Sequence, residues 1–286
     1  MLMNKPRSMV LEQRPREALG DFLNDYCSLM KVDSERAFNL IKQGLSFHQA
    51  DKRTKKYNPF LYPAYLKTLE NSWYNSLDAG NPNYEIYNDD YYFTDMWICW
   101  ISYSRNYIRS FIKDGSVTKG KSVYQTLDDN VDIQRVLDLG CGIGYTTSAL
   151  TEIYPNAEII GTNLSDTKQF RYCKHRSEKY KFNIISDIDM MNSPVDLVVA
   201  SEYFEHIENP VEHLDSIIQK LAPKCFYIAN SFNTHSLGHF NSYKHQNHTY
   251  SQSVISRGFN SFLKDQGYHK LKTNIWNNKP TLWIKR

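Results

Sequence analysis

Paired cysteines, long apolar runs and internal repeats are all absent from this sequence of 286 residues. Its five cysteines, Cys27, Cys99, Cys141, Cys173 and Cys225, include no C-x-x-C pair. This usage predicts a reduced, cytoplasmic compartment and no structural zinc site. No apolar run approaches the roughly 18 residues of a membrane span, and the first residues lack the apolar core of a secretory signal. We therefore expect a cytoplasmic protein without a membrane partner.

Charge is low overall but unevenly distributed. The formal net charge is +3, yet the segment from Lys220 to the C-terminus carries ten Lys or Arg residues against one acid, Asp265. That segment therefore has a charge of +9, which leaves −6 for the rest of the chain. A basic surface attracts anionic partners. Two interpretations stay open, namely an ordinary solvated face and a face that attracts a phosphate-bearing or otherwise anionic substrate.

The N-terminal part is mainly helical by its apolar spacing and unusually rich in aromatic residues between Tyr57 and Tyr107. Such rings either form a core and its interfaces or stack on bases and sugars. A polar stretch at 114–133 predicts a loop and a domain boundary. We expect a helical region at 1–130, acting on substrate or a partner, and a second domain at 131–286. The predicted helices of the first region are near 19–30, 33–45, 63–74 and 97–115.

The most informative stretch is RVLDLGCGIGYTTSAL, residues 135–150. An apolar run interrupted by Asp138 predicts a buried parallel strand. Gly140, Gly142 and Gly144 follow at alternate positions and predict a turn whose backbone approaches a ligand closely. The next helix would direct its N–H groups toward that turn. An acid at the end of the strand suits a ligand with a cationic or N–H-rich group.

This motif differs from a dinucleotide fingerprint, because Tyr145 stands at the third glycine position of G-x-G-x-x-G. The pattern D-x-G-x-G-x-G resembles the first motif of class I S-adenosylmethionine (SAM) methyltransferases, whose acid and glycines hold the cofactor's methionine part and ribose. The alternative is a glycine turn that binds nothing, which would require neither the acid nor three spaced glycines. The cofactor-binding residues that the resemblance implies on this turn are Asp138, Gly140, Cys141, Gly142 and Gly144.

Beyond the turn, strand and helix patterns alternate, as is typical of a parallel sheet with crossover helices. The resemblance covers residues 135–286 and implies an α/β, Rossmann-like, doubly wound sheet of seven strands. Further strands are predicted at 157–162, 182–186, 195–200 and 225–229, with a closing hairpin at 268–276 and 281–284. Helices are predicted from Ser165 to about Tyr180, after a cap at Asn209 with Glu212 in a capping box, and from Thr249 to Gly267.

Ligands in such sheets bind at the carboxyl ends of the strands. After the second strand the family usually has an acid that binds both ribose hydroxyls, and here Asn163 stands at that position. After the third strand, Asp187 stands where the family often contacts the adenine amino group, with Asp189 as the alternative. We expect Asn163 and Asp187 to bind the cofactor, the former without a charge.

The fourth predicted strand leads into SEYFEHIENP, which resembles a segment of ubiquinone-pathway O-methyltransferases and of small-RNA 3′-terminal 2′-O-methyltransferases. In both groups the E-x-x-E-H pattern can carry a divalent metal, and the corresponding ligands here would be Glu202, Glu205 and His206. Two carboxylates and an imidazole suit Mg²⁺ or Mn²⁺. The alternative is that Glu205 and His206 orient the loop without a metal. Glu202 is also expected beside the cofactor.

A polar segment with four histidines, His235, His239, His245 and His248, follows the fifth predicted strand. This fold places acceptor-binding residues there, and a histidine could complete a metal site or act as general base. We select His239, directly after Gly238, as the catalytic candidate.

Together these patterns predict a SAM-dependent methyltransferase that modifies an oxygen of a polar or anionic acceptor, with a nucleotide or nucleic acid as the phosphate-bearing case. One alternative is a metal-assisted RNA 2′-O-methyltransferase, and another is a catalytically silent SAM-fold module that binds a partner. No D/N-P-P-Y/F motif follows the fourth strand, which excludes a resemblance to amino-group DNA methyltransferases. The predicted catalytic residues are Glu202, Glu205, His206 and His239.

Overall fold

The computed structural model describes residues 24–29, 31, 33–35, 64–89, 92–93, 104, 107–117, 120–273 and 280–286. Most of the helices predicted near 19–30 and 33–45, and the first part of the one predicted at 97–115, lie outside these residues. The part of the chain that the structure describes contains no helix with both the length and the apolar composition of a membrane span.

Short helices precede the sheet. Helix α1 spans Ala64–Asp78, a 3₁₀ helix spans Tyr84–Asn88, and α2 spans Val123–Asp128. The prediction of a loop throughout 114–133 is therefore wrong at α2. Ser122 starts this helix with a capping box, because its hydroxyl accepts from the Gln125 N–H at 3.0 Å and the Gln125 side chain accepts from the Ser122 N–H at 2.8 Å.

Seven strands form one mixed sheet, which confirms the predicted doubly wound fold. The strands of the described residues are β1 (Arg135–Leu139), β2 (Glu158–Thr162), β3 (Asn183–Ile185), β4 (Leu197–Ser201), β5 (Cys225–Ala229), β6 (Ser242–His245), β7 (His248–Ser251), β8 (Tyr268–Lys272) and β9 (Thr281–Lys285). Their order in the sheet is β3-β2-β1-β4-β5-β9-β8. The first five are parallel, whereas β9 is antiparallel to β5 and to β8. The strand order reverses between β1 and β4, where such sheets bind their ligands.

The crossover helices are α3 (Tyr145–Ile153), α4 (Lys168–Tyr180), α5 (Pro210–Leu221) and α6 (Gln252–Asp265). Helix α4 begins later than predicted, because Thr167 and not Ser165 caps it and accepts from the Phe170 N–H at 3.1 Å. Helix α6 begins at Gln252 and not near Thr249. The preceding residues instead form β7, which pairs with β6 in a separate hairpin.

The predicted cap of α5 is only partly present. Pro210 occupies the first turn as expected, but the side chain of Asn209 makes no capping hydrogen bond. Glu212 does not reach back to the cap. Its carboxylate instead accepts from the Gln246 N–H at 2.8 Å and lies 2.7 Å from His245 Nδ1 in the β6–β7 hairpin.

Two apolar layers cover the two faces of the sheet, since alternate residues of each central strand belong to different layers. Tyr107 and Phe111 pack on one face, where the Tyr107 hydroxyl donates to the Tyr227 carbonyl oxygen at 3.0 Å. Trp73 and Tyr87 pack on the other face. Residues from before position 130 thus complete both layers, and the division of the chain at that position stays a prediction.

Candidate active site

A cavity of about 310 Å³ lies at the carboxyl ends of β1, β2 and β4. Its walls come from the glycine turn after β1, from the residues that follow β2, β3 and β4, from α5, and from tyrosines that precede the sheet. This is the edge at which the strand order reverses, and it is where the sequence predicts a ligand.

The glycine turn contributes two of its three glycines to the cavity wall. Gly140, Gly142 and Gly144 have φ angles of +61°, +54° and +74°, in the left-handed region that favours glycine. Gly140 and Gly142 line the cavity. Gly144 has a packing role, because a Cβ atom there would lie 2.9 Å from the Cys173 sulfur of α4.

Asp138 and Cys141, both predicted to bind the cofactor, support the turn from behind and do not line the cavity. Asp138 is buried and accepts from the Thr147 hydroxyl of α3 at 2.6 Å. Burial raises the pKa of this carboxyl to about 7, and the Thr147 hydrogen bond opposes the shift. The Cys141 sulfur lies 3.3 Å from that of Cys173, and both thiols are buried and free.

The predicted ribose position, Asn163, lines the cavity and also holds the glycine turn. Its Nδ2 donates to the Gly142 carbonyl oxygen at 2.7 Å, and its Oδ1 accepts from the Leu164 N–H at 3.0 Å. A carboxylate in place of this amide could not make the first of these bonds. The asparagine at this position, where the family usually has an acid, is therefore explained by its bond to the glycine turn.

Of the two candidate aspartates after β3, Asp187 lines the cavity and Asp189 does not. Asp187 accepts from the Asp189 N–H at 2.9 Å and thereby caps a short 3₁₀ helix, Ile188–Met190. The Asp189 carboxylate pairs with Lys220 at 2.7 Å. The geometry therefore favours Asp187 as the residue that faces a ligand.

The residues after β4 place two carboxyl groups side by side. Glu202, which lines the cavity, has a φ angle of +53°, a strained conformation for a residue other than glycine. The Ser231 hydroxyl bonds to Glu202 and to Glu205, and the Ser231 N–H donates to Glu205 Oε1 at 2.9 Å. Glu205 is fully buried, so that burial and the neighbouring Glu202 raise its pKa well above the usual value.

His206 and His239 meet at the same place, with ring centroids 4.7 Å apart and planes nearly perpendicular. His206 lines the cavity, while His239 lies behind it. The Nδ1 of His206 donates to the Gly238 carbonyl oxygen at 3.0 Å, and that of His239 donates to the Thr234 carbonyl oxygen at 2.8 Å. Burial lowers the pKa of both rings, that of His206 to about 3, so both are neutral at pH 7.

The other three histidines of the loop are not brought into the cavity. His235 and His245 lie beside Glu70 and Glu212, at 3.4 and 2.7 Å, and His248 is exposed.

The three predicted metal ligands, Glu202, Glu205 and His206, are neighbours but do not form a metal site as arranged. Within the described ranges, no three His, Cys, Asp or Glu side chains are placed so that they could hold a metal ion. Ser231 bonds to both carboxyl groups, and Glu205 is fully buried and does not line the cavity. The residues present do not fit Mg²⁺ or Mn²⁺ in this conformation.

Aromatic residues that sequence reasoning missed complete the walls. Tyr84, Tyr87 and Tyr92 form the side that comes from before the sheet. The ring of Tyr203 covers Gly140 so closely that a Cβ atom there would collide with it, and the Tyr203 hydroxyl lies 2.9 Å from His213 Nε2. The sequence shows only that aromatic residues are frequent before the sheet, and this frequency does not indicate which rings face a cavity.

Helix α1 holds the histidine loop in place. The Trp73 indole N–H donates to the His239 carbonyl oxygen at 2.7 Å. Gly238, next to it, has a φ angle of +85°. A Cβ atom there would lie 2.7 Å from the Tyr87 hydroxyl and 2.8 Å from His206 Nδ1, so this position admits only glycine without rearrangement.

The chain is similar in sequence to known proteins. A family model described as a methyltransferase domain matches residues 107–273. Among curated proteins, a malonyl-[acyl-carrier protein] O-methyltransferase of Legionella pneumophila is 35% identical over 74 residues, which are 24% of this chain and 26% of that protein. The chain thus matches about a quarter of the length of this relative.

Solved structures to which this chain is similar include a putative O-methyltransferase from Nostoc punctiforme and the methyltransferase domain of a bacterial Hen1 protein. The first has a TM-score of 0.48 and 14% identity, with 79% of this chain and 71% of that chain covered. The second has a TM-score of 0.42 and 18% identity, with coverages of 57% and 94%.

Proposed function

Given that the chain belongs to the methyltransferase-domain family and is a SAM-dependent methyltransferase, we propose that it methylates an oxygen of a polar acceptor bound beside Glu202. The observation that carries the proposal is the position of Gly140 and Gly142. Both line the cavity, with left-handed backbones, at the carboxyl end of β1. Their missing side chains leave space for a ligand to approach the backbone.

The residues around this cavity suit the parts of SAM. Gly140 and Gly142 would hold its methionine part, Asn163 its ribose, and Asp187 the amino group of its adenine. The acidic lining suits a ligand that carries a sulfonium and an ammonium group. When bound, SAM supplies an electrophilic methyl group that needs only an aligned nucleophile and removal of a proton.

The chain's own contribution to the reaction is alignment and proton removal. Glu202 and His206 both line the cavity, and the Glu202 carboxylate would accept the proton of an acceptor hydroxyl bound there. Ser231 and the buried Glu205 hold that carboxylate from behind. With SAM and an acceptor bound, Glu202 would accept the proton of the acceptor hydroxyl as the acceptor oxygen takes the methyl group. The products are a methyl ether, S-adenosylhomocysteine and one proton.

Metal-assisted RNA 2′-O-methylation is the second candidate. It is supported by the closeness of Glu202 to the buried Glu205 and of His206 to His239, where Glu202 and His206 line the cavity. It would require the Glu205 carboxyl to leave Ser231 and turn toward a metal. Because the arrangement described above does not fit a metal, no step of the proposed reaction depends on one.

The experiment that tests the proposal is calorimetric titration of SAM into wild type and Gly142→Leu. A leucine at φ +54° strains the turn and fills the cavity, so SAM binding should be lost. Gly258→Leu, at an exposed helical position with open space around it, is the matched control and should bind SAM normally. An unchanged affinity in Gly142→Leu would overturn the proposed cofactor site.

A further inference from the structure

We propose that the acceptor is a planar ring compound, uncharged or cationic, that stacks on Tyr84 at the mouth of the cavity and presents its hydroxyl toward Glu202. This inference rests on the proposed function, since the acceptor must share the cavity with SAM. It departs from the expectation of an anionic acceptor that the basic C-terminal segment suggested.

The first observation is an apolar rim around the cavity. Within the described ranges, the large apolar side chains that remain exposed include Tyr84, at 44%, and Leu164, at 49%, and both line this cavity. Single exposed apolar residues are ordinary, but two at the mouth of one cavity indicate a surface that a ligand covers.

The second observation is that Tyr84 is held rigidly although it is exposed. The edge of Trp73 packs against it with ring centroids 5.8 Å apart, and the ring of Tyr87 lies nearly parallel to it with centroids 6.5 Å apart. Trp73 itself is fully buried. A fixed aromatic ring with part of its surface in solvent is a platform on which another planar group stacks.

The third observation is the sign of the charges in the cavity wall. Of the described residues that line it, three are carboxylates, Asp187, Glu202 and Glu208, and none is Lys or Arg. Glu208 forms an ion pair with Lys244 at 2.8 Å, so the remaining negative charge of the wall comes from Asp187 and Glu202. A phosphate or carboxylate group near Glu202 would meet like charge without a cation from the wall, whereas a neutral or cationic group would not.

None of the described basic residues of the C-terminal segment lines the cavity, and three of them are paired with acids. Lys220, Lys224 and Lys244 pair with Asp189, Asp196 and Glu208 at 2.7, 2.7 and 2.8 Å. Their charge is therefore balanced locally by acids of the same chain. Hence the described part of the segment gives no cationic wall for an anionic acceptor.

The test uses three probes that share a 4-hydroxyphenyl ring and differ in charge, namely tyramine (cation), tyrosol (neutral) and 4-hydroxyphenylacetate (anion). Their dissociation constants are measured by ligand-observed NMR on the full chain saturated with S-adenosylhomocysteine. Binding of S-adenosylhomocysteine is measured first by calorimetry. If it does not bind, the proposed function fails; if it binds, the probe series tests this inference alone.

We expect tyramine and tyrosol to bind about tenfold more tightly than 4-hydroxyphenylacetate, because only the anion meets like charge at Glu202. Tyr84→Ala should weaken tyramine and tyrosol about fivefold or more, whereas Tyr84→Phe, which keeps the ring, should not. Glu202→Gln should reduce the difference between the anion and the other two probes. Equal or tighter binding of the anion, unchanged constants in Tyr84→Ala, or no binding of any probe would each overturn the inference.

Discussion

The hydroxyl of Tyr74 donates to the Ser236 carbonyl oxygen at 2.7 Å and accepts from the Ser236 N–H at 3.1 Å. This two-way bond joins α1 to the loop that carries His239 and Gly238. The neighbouring Trp73 makes a further bond to the same loop. The segment before the sheet is thus a structural part of the candidate active site, because it fixes the backbone on which the histidine pair is built.

Replacing Tyr74 by Phe removes both bonds and keeps the ring. At about 1 kcal/mol for each hydrogen bond, we expect the free energy of unfolding to fall by about 2 kcal/mol. Turnover should fall with it, while SAM affinity should stay close to wild type, since the glycine turn lies on other elements. Urea unfolding, calorimetry and a turnover assay measure the three quantities. Tyr250→Phe in the β6–β7 hairpin is the control, and a Tyr74→Phe variant of normal stability and turnover would contradict the role of α1.

Asn163→Asp tests whether Asn163 acts mainly by holding the glycine turn or by binding the ribose, as the family's usual acid does. The new carboxylate would lose the donor that now binds the Gly142 carbonyl oxygen, and would place negative charge against that oxygen. We therefore expect SAM binding to weaken by about tenfold, which corresponds to about 1.4 kcal/mol. Asn209→Asp, at a helix start where the side chain makes no capping bond, serves as the control. Tighter SAM binding in Asn163→Asp would mean that contact with the ribose outweighs support of the turn.

Metal removal distinguishes the two candidate reactions. Since the carboxyl groups of Glu202 and Glu205 are bridged by Ser231 and the described residues form no metal-holding group, we expect activity to persist in excess EDTA. Activity is measured after dialysis against the chelator and again after addition of Mg²⁺ or Mn²⁺. Loss in EDTA with recovery on adding either ion would instead support metal-assisted 2′-O-methylation. Glu205→Ala should lower activity under both conditions, because it leaves Ser231 without its buried partner.

Asp138 should make the protein less stable as the pH rises. Its pKa is about 7 in the folded chain, against 3.8 for an ordinary aspartate. The folded state therefore keeps a proton that the unfolded chain has already released, and the cost of this difference grows between about pH 4 and pH 7. A difference of about three in pKa between the folded and the unfolded chain corresponds to a loss of about 4 kcal/mol in the free energy of unfolding.

Asp138→Asn removes this titration while keeping the shape of the side chain. Measured by urea unfolding without cofactor, the variant should gain stability relative to wild type as the pH is raised from about 4 to 7.5. Near pH 4 the carboxyl is protonated in the folded wild type, so there the two proteins should be similar. A difference that is constant with pH would show that this carboxyl titrates normally.

Much of the cavity lining could be predicted from the sequence, because it consists of residues that directly follow the strands. Gly140, Gly142, Asn163, Asp187 and Glu202 are far apart in sequence but all line one cavity. In a parallel sheet the residues that follow each strand meet at one edge, so local patterns suffice to find them.

The residues that could not be predicted are those whose position depends on long-range packing. Tyr84 and Ser231 reach the site through contacts with distant segments, which no local period reveals. The β6–β7 hairpin was missed for a different reason. Its turn, Gln246–Asn247, has φ angles of +47° and +63°, and this pair is a weaker hairpin signal than Asn-Gly.

The crowding around Gly238 determines where directed evolution of acceptor range can succeed. Any side chain introduced at this position would collide with the Tyr87 hydroxyl and the His206 ring. We therefore expect a library of variants at position 238 to yield active enzyme only where glycine is kept. Tyr84, Ile207 and Glu208 line the cavity and carry no such backbone requirement. Variation at these three positions would change the shape and charge of the cavity wall and leave the glycine turn and Glu202 as they are.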